Sequence, residues 1–150
     1  MKKLFFSGVL ALCTMVAAVA AEGGEWLTDL DAAKAKAKEA NKHVLIDFTG
    51  SDWCPPCKQL HANVLTSKEF AEFAKENLIL VELDFPMKKE QSAKLKAKNK
   101  GLAAHYKIEG YPTIVMLDPS GKEINREVGY QPSTKAADYV AMLKGWIAKK

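Results

Sequence analysis

The chain has 150 residues, enough for one domain whose hydrophobic core needs no disulfide staples. A hydrophobic share of 48%, a charged share of 27% and a formal net charge of +4 are ordinary for a soluble globular protein. These values exclude a fibrous chain and an intrinsically disordered one.

Residues 1–21 differ from the rest of the chain and predict a secretory signal. Lys2 and Lys3 precede an apolar run that continues to Val19, and the segment ends in small residues at Ala21. A positive start, an apolar middle and a small-residue end are typical of a signal peptide that is cleaved. The alternative is an uncleaved N-terminal membrane anchor, because the apolar run approaches the ~20 residues that span a bilayer.

The predicted mature domain, residues 22–150, retains two of the three cysteines. Cys13 lies inside the signal, and we interpret it as one more apolar residue, because Leu12 is not the small residue that precedes a lipid-modified cysteine. Loss of the signal removes two lysines, so the formal charge of +4 becomes +2. A nearly balanced surface gives no reason to expect a nucleic-acid or anionic-membrane partner. We therefore predict a periplasmic or otherwise extracytoplasmic protein, in which Cys54 and Cys57 can form a disulfide.

Hydrophobic periodicity and capping residues divide the mature chain into helices and strands. Apolar residues at helical spacing behind a capping residue predict helices, and short continuous apolar runs predict strands buried on both faces. In chain order we predict a helix from Thr28 to Asn41, a strand at 44–48, a helix from Pro55 through Val64, a helix from Thr66, a strand at 78–85, a polar helix at 86–100 with one or two further turns after Gly101, strands at 113–117 and 123–128, and a helix from Ser133. This order predicts an α/β fold with a central mixed β-sheet flanked by helices on both faces.

Cys54 and Cys57 stand in the stretch WCPPCK, directly after the first buried strand and its loop. A disulfide between them would stabilise the fold little, because a loop this short constrains the unfolded chain only slightly. A zinc site usually needs two further ligands, whereas the sequence has no second CxxC and its three histidines are scattered, so we predict no metal site. Thiol–disulfide chemistry is the better explanation of the pair.

The expected roles of the two cysteines differ. At the start of a helix, backbone donors and the helix dipole stabilise a thiolate on Cys54, and thiolates are the nucleophiles of disulfide exchange. Cys57 lies one turn inward, so we expect it to be more buried and placed to attack a mixed disulfide on Cys54. The pair therefore predicts an exposed attacking cysteine and a sheltered resolving one.

Two segments together resemble the thioredoxin superfamily: a buried strand ending in Asp47-Phe48 before WCPPCK, and GYPT at residues 110–113. The resemblance extends over nearly all of the mature chain and implies a thioredoxin fold. It implies that Pro112 is cis and lies beside the cysteines, where Tyr111 and Thr113 help to position a client chain like an added strand. Trp53 is a further candidate for client contact.

The resemblance also implies that Asp47, a buried acid on the strand before the motif, helps to deprotonate Cys57. The sequence departs from the family pattern at two places near this acid. The loop between Asp47-Phe48 and the motif is about one residue longer than in typical thioredoxins. Many thioredoxins place a lysine near the acid on the next strand, where this chain has Glu82 or its neighbours.

Pro55 and Pro56 favour a reducing cysteine pair. Oxidant and isomerase members of the family often place a histidine inside the motif, whereas two prolines remove backbone donors that could reach the Cys54 sulfur. A less stabilised thiolate makes the couple more reducing. GYPT points the other way, because it resembles the corresponding segment of protein disulfide isomerases.

We therefore predict an extracytoplasmic thiol–disulfide oxidoreductase that reduces protein disulfides, with catalytic residues Cys54, Cys57 and Asp47. It is expected to be a monomer without an organic cofactor, acting on protein substrates with disulfides or thiols and recharged by a membrane electron donor or another thiol protein. Two alternatives stay open. One is an isomerase or oxidase. The other is a non-enzymatic peptide-binding or chaperone-like module whose cysteines stay locked as a disulfide.

Overall fold

The structure is a computed structural model that describes residues 24–148, so the predicted signal and Cys13 lie outside the described residues. Residues 24–148 form five β-strands and five α-helices, and a π-helical turn continues the second helix. In chain order they are β1 Trp26–Leu27, α1 Leu30–Ala40, β2 His43–Thr49, α2 Pro55–Leu60, the π-helical turn His61–Leu65, α3 Lys68–Asn77, β3 Leu78–Asp84, α4 Ala93–His105, β4 Thr113–Leu117, β5 Glu123–Val128 and α5 Ala136–Ala148. Within residues 24–148, no helix is both long enough and apolar enough to cross a bilayer.

The strands form one mixed sheet in the order β1-β3-β2-β4-β5. β1, β3 and β2 run parallel, whereas β4 is antiparallel to both β2 and β5. β2 lies at the centre, and Val44 to Thr49 are all buried. The predicted mixed sheet with helices on both faces is confirmed.

Side chains alternate along β2 and divide the core between the two faces of the sheet. Leu45 belongs to a cluster with residues of α2, the π-helical turn, α3 and α5. Ile46 and Phe48 belong to a second cluster, with residues of α1 and with Tyr106 after α4. Asp47 lies two residues after Leu45 on β2, so its side chain points to the same face of the sheet, which α2 covers.

Four predicted helix starts were wrong. Ser67 rather than Thr66 caps α3, because its hydroxyl accepts the N–H of Phe70, and α5 begins at Ala136 rather than directly after Ser133. Asp29, not Thr28, caps α1, because its carboxylate accepts the backbone N–H groups of Asp31 and Ala32. The polar helix predicted from residue 86 begins only at Ala93. The segment before it is a loop whose N–H groups are bonded to a side chain distant in sequence, as described below.

α4 also continues through Gly101, where the sequence predicted an interruption. A Cβ built on Gly101 has no neighbouring atom within 4 Å, so this glycine lies at an open position of the helix surface. The continuous helix is compatible with glycine there, since glycine in a helix costs only about 1 kcal/mol relative to alanine.

Candidate active site

The cysteine motif occupies the junction between β2 and α2. Cys54 is the N-cap residue of α2, with extended backbone angles, and Pro55 and Pro56 fill the first two helical positions. Cys54 and Cys57 form a disulfide with a Cα–Cα distance of 5.3 Å. Both residues are buried in this oxidised state, so the expected difference in exposure between them is absent. The bond ties the sulfur of Cys54 to the first turn of the helix.

One backbone donor reaches the sulfur of Cys54. The N–H of Cys57 donates to Cys54 Sγ at 3.3 Å. The intervening residues, Pro55 and Pro56, have no N–H to offer. The prolines thus leave the sulfur with one donor from the first turn of α2.

Asp52 fastens the motif loop to the loop that follows β3. Its carboxylate accepts the backbone N–H groups of Met87, Lys88 and Lys89 at 3.0, 2.7 and 2.8 Å. These hydrogen bonds, of which the one from Met87 has the largest effect, lower the pKa of Asp52 to about 2. The three bonds hold residues 87–89 against the motif loop, and the helix begins only after Ser92, whose hydroxyl accepts the N–H of Leu95 and caps it.

Three aromatic side chains form a cluster beside the motif. The indole N–H of Trp53 donates to the carbonyl of Phe85 at 2.8 Å. The ring of Tyr111 packs edge-on against Trp53, with centroids 5.8 Å apart, and lies 5.1 Å from the ring of Phe85. Trp53 remains 36% exposed, so part of its surface is available to a client. The Trp53–Tyr111 contact brings the distant GYPT segment next to the cysteines.

The GYPT segment is held in place by its own hydrogen bonds. The Tyr111–Pro112 peptide bond is cis, as the resemblance implied. The carbonyl of Pro112 accepts the N–H of Gly129 at 2.7 Å. Thr113 is buried, and its hydroxyl donates to the carbonyl of Gly110 at 2.8 Å. Tyr111 is thus the half-exposed side chain of the predicted substrate segment, and Thr113 maintains the shape of that segment.

Asp47 is buried next to the resolving cysteine. Burial, with smaller contributions from the negative charges of Glu82 and Asp84, raises the pKa of Asp47 to about 8. Its Oδ1 atom has no hydrogen-bond partner among the described residues. A cavity of about 350 Å³ is lined by Asp47, Cys57, Lys58, His61, Glu82 and Lys89, among others. The acid and the resolving cysteine therefore share one cavity.

Glu82 was noted in the sequence only as a departure from a family pattern. The structure places it in the same cavity, half-buried. Burial raises its pKa above the usual range, and the charge of Asp84 adds to this effect. The signal that could have located Glu82 is the pairing register of two strands, which a single sequence does not reveal.

Comparison with known proteins establishes the family. The model of the thioredoxin-like domain family matches residues 30–144. This chain belongs to the thioredoxin superfamily. A structure described as DsbH oxidoreductase superposes with a TM-score of 0.78 and 33% sequence identity, and the alignment covers 96% of each chain. A thioredoxin from Thermus thermophilus shares the fold at a TM-score of 0.63 and 22% identity, with 85% of this chain and 89% of that one covered.

Two curated relatives come from Chlamydia pneumoniae. The disulfide bond reductase DsbH is 38% identical over 126 residues, which are 84% of this chain and 74% of DsbH. The thioredoxin-related protein DsbJ is 32% identical over 101 residues, 67% of this chain but only 29% of DsbJ. With this family, this fold and a disulfide-bonded CxxC pair, the protein is a thiol–disulfide oxidoreductase.

Proposed function

We propose that the protein reduces disulfide bonds of protein clients outside the cytoplasm. The single backbone donor to the Cys54 sulfur is the observation that carries the direction of the reaction. A thiolate with one donor is less stabilised than one with several, so the reduced pair gives up its electrons more readily. The resemblance to a relative described as a disulfide bond reductase supports the same direction.

In the proposed reaction, the Cys54 thiolate attacks one sulfur of a client disulfide. The client S–S bond breaks, and the other client sulfur leaves as a thiolate. Cys57, once deprotonated, attacks Cys54 Sγ, forms the Cys54–Cys57 disulfide and releases the second client sulfur. The client gains two electrons and the cysteine pair loses two, so no organic cofactor is needed. A membrane electron donor or another thiol protein must then reduce the pair again.

Asp47 is proposed to accept the proton of Cys57 during the second attack. The support is its position in the cavity that Cys57 also lines, and a pKa of about 8, close to the pKa of an ordinary thiol. A base whose pKa is near the operating pH is suited to this transfer. Removal of the acid would therefore slow the resolving step rather than the first attack.

Clients are proposed to bind across Trp53, Tyr111, Pro112 and Thr113. Trp53 and Tyr111 present partly exposed rings beside the disulfide, and the segment from Tyr111 leads directly into β4. An extended client segment can pair with backbone of this kind as an added strand. Client proteins with a disulfide in an accessible, extendable segment are the expected substrates.

The proposed location follows from the N-terminal segment. A signal at residues 1–21 would direct the domain at 22–150 out of the cytoplasm and be removed there. The alternative, an uncleaved anchor, would leave the same domain attached to a membrane surface. N-terminal sequencing of the protein isolated from its host distinguishes the two.

The test of the direction is the reduction potential of residues 22–150, equilibrated in dithiothreitol or glutathione buffers. A value near that of thioredoxin, about −270 mV, is expected of a reductase. A value between about −120 and −180 mV would instead assign the protein as an oxidase or isomerase. Absence of a reversible transition would leave only a binding module with a locked disulfide.

A further inference from the structure

Glu82 lies directly opposite Asp47 on the neighbouring strand. In the parallel pairing of β2 with β3, Asp47 is in register with Glu82. Adjacent strands are about 4.8 Å apart, and residues in register point to the same face of the sheet. Two carboxyl groups therefore stand side by side beneath α2, in the cavity that Cys57 also lines.

The two acids differ in their access to solvent. Asp47 is 3% exposed, whereas Glu82 is half-buried. The wall of the cavity includes the exposed residues Lys58, His61 and Lys89, so the cavity opens to solvent. Glu82 is thus the more solvent-accessible of the two acids.

Each element around the pair contributes charged or titratable groups. Lys58 of α2 and His61 of the π-helical turn line the cavity from above, and Lys89 lines it from the loop after β3. Asp84 lies two residues further along β3, and its negative charge raises the pKa of both acids. Tyr139 of α5 is buried and interacts electrostatically with Asp47. His61 and Lys89 favour the ionised form of Glu82.

We propose that Glu82 is a second acid–base residue of the resolving step, which takes over the proton that Asp47 would otherwise retain and passes it to water in the cavity. This inference rests on the proposed function, in which Asp47 accepts the proton of Cys57. The cavity would then serve as a path for protons from Cys57 to water. This path is separate from the client-binding surface at Trp53 and Tyr111.

A relay is needed because Asp47, with a pKa of about 8, already carries a proton at neutral pH. A protonated acid can accept the proton of Cys57 only if it gives up its own. In the proposed step the Cys57 S–H proton moves to Asp47, and the proton of Asp47 moves to the Glu82 carboxylate. Cys57 becomes a thiolate and attacks Cys54, the client sulfur leaves as a thiolate, and Glu82 releases its proton to water. Protons and charges balance without a further reactant.

The test separates the two chemical steps. Reduced protein, residues 22–150, is mixed in stopped flow with an equimolar aromatic disulfide of the Ellman type, between about pH 5.5 and 9. The first aromatic thiolate released reports attack by Cys54, and the second reports resolution by Cys57. Glu82→Gln keeps the shape of the side chain and removes the carboxylate. Glu76→Gln, on the exposed surface of α3, is the control with the same change of charge.

We expect Glu82→Gln to slow the second release about tenfold near pH 6–7, below the 10²–10⁴ of a complete acid–base catalyst because water can replace part of the relay. The first release should be unchanged, and Glu82→Asp should recover part of the rate. Carboxyl carbon NMR should show a lower pKa for Asp47 in Glu82→Gln, since a neighbouring negative charge is gone.

A purely electrostatic role for Glu82 predicts the opposite rate effect. The lower pKa would leave more Asp47 ionised at neutral pH, so the second release would accelerate. An unchanged or faster second release in Glu82→Gln therefore overturns the relay. If the wild-type protein itself shows no second release, the proposed role of Cys57 fails, and this outcome is distinct from failure of Glu82 alone.

Discussion

The backbone N–H of Cys57 donates to the sulfur of Cys54 at 3.3 Å, across the two prolines of the motif. An N-cap side chain usually has access to the N–H groups at the second and third helical positions. Here the third position is Cys57, and the second is Pro56, which has no N–H. Pro56 therefore removes a hydrogen bond that could stabilise the Cys54 thiolate in the reduced protein.

Replacing that proline should make the pair more oxidising. Pro56→Ala restores an N–H at the second helical position, and a hydrogen bond to a charged group contributes about 1.5–3 kcal/mol. Because about 1.4 kcal/mol corresponds to 30 mV for a two-electron couple, we expect the reduction potential to rise by about 30–60 mV. Equilibration with glutathione measures it. Pro55→Ala is the matched control, since the N–H at the first position does not reach the cap, and an equal shift in both variants would contradict the explanation.

The stability of the protein should fall as the pH rises from about 4 to 8. The pKa of Asp47 is raised from 3.8 to about 8 in the folded protein. Between these values the folded state holds a proton that the unfolded state has lost, so the free energy of unfolding decreases as the pH increases. Asn resembles the protonated acid but does not titrate. In Asp47→Asn the free energy of unfolding should therefore fall by a few kcal/mol less between pH 4 and pH 8 than in the wild-type protein. Urea unfolding at several pH values measures it.

Glu76→Gln serves as the control for the unfolding series, because Glu76 is exposed on α3. Its pH dependence should match that of the wild-type protein. A wild-type stability that stays level from pH 4 to 8 would show that Asp47 is ionised without penalty, and would remove the physical basis for its role as a base.

Substitution by alanine should change the stability of the protein in opposite directions at Gly50 and at Gly101. A Cβ on Gly50 would lie 2.5 Å from the ring of Trp53, and the ring is held by its hydrogen bond to Phe85. We expect Gly50→Ala to lower the free energy of unfolding by about 1–3 kcal/mol and to change the tryptophan fluorescence. Gly101→Ala, at an open helical position, should raise it by about 1 kcal/mol. Denaturant unfolding of both variants measures the two changes in the free energy of unfolding. Equal changes in the two variants would contradict this prediction.

Tyr111→Ala should impair protein clients selectively. The ring is half-exposed next to Trp53, where an extended client segment would lie. Buried aromatic contacts in interfaces often contribute about 2 kcal/mol or more, and because about 1.4 kcal/mol corresponds to a factor of ten, we expect the reduction of a protein disulfide to slow by about thirtyfold. Reduction of a small aromatic disulfide should be unaffected, and Tyr111→Phe should behave like the wild-type protein. Equal losses with both substrates would indicate damage to the cysteines rather than to client binding.

Much of the fold could be predicted because the central strands are continuous apolar runs. β2 and β3 were located to within one residue at each end, and the motif, Asp47 and the GYPT segment were found by type and order. β1 was missed because two residues, Trp26 and Leu27, are too few to show a period, and their strand exists only through pairing with β3.

Two further errors involve contacts between residues distant in sequence. Lysines and glutamate after Pro86 favour a helix locally, whereas the structure binds residues 87–89 to the Asp52 carboxylate and starts the helix after its cap, Ser92. Glu82 could not be placed beside Asp47 without the register of β2 and β3. The active-site cavity is thus a product of strand pairing, whereas the motif itself is a product of local sequence.

The attachment of residues 87–89 to Asp52 involves only backbone N–H groups. Every residue except proline has such a group, so the attachment does not depend on which side chains the segment carries. The side chains of Met87, Lys88 and Lys89 are exposed. Met87 and Lys88 can therefore exchange their side chains, by evolution or by design, while the backbone stays fixed to the motif loop, which makes these two positions a ready place to alter client preference without rebuilding the catalytic centre. Lys89 is different, because its side chain lines the cavity of Asp47 and Glu82.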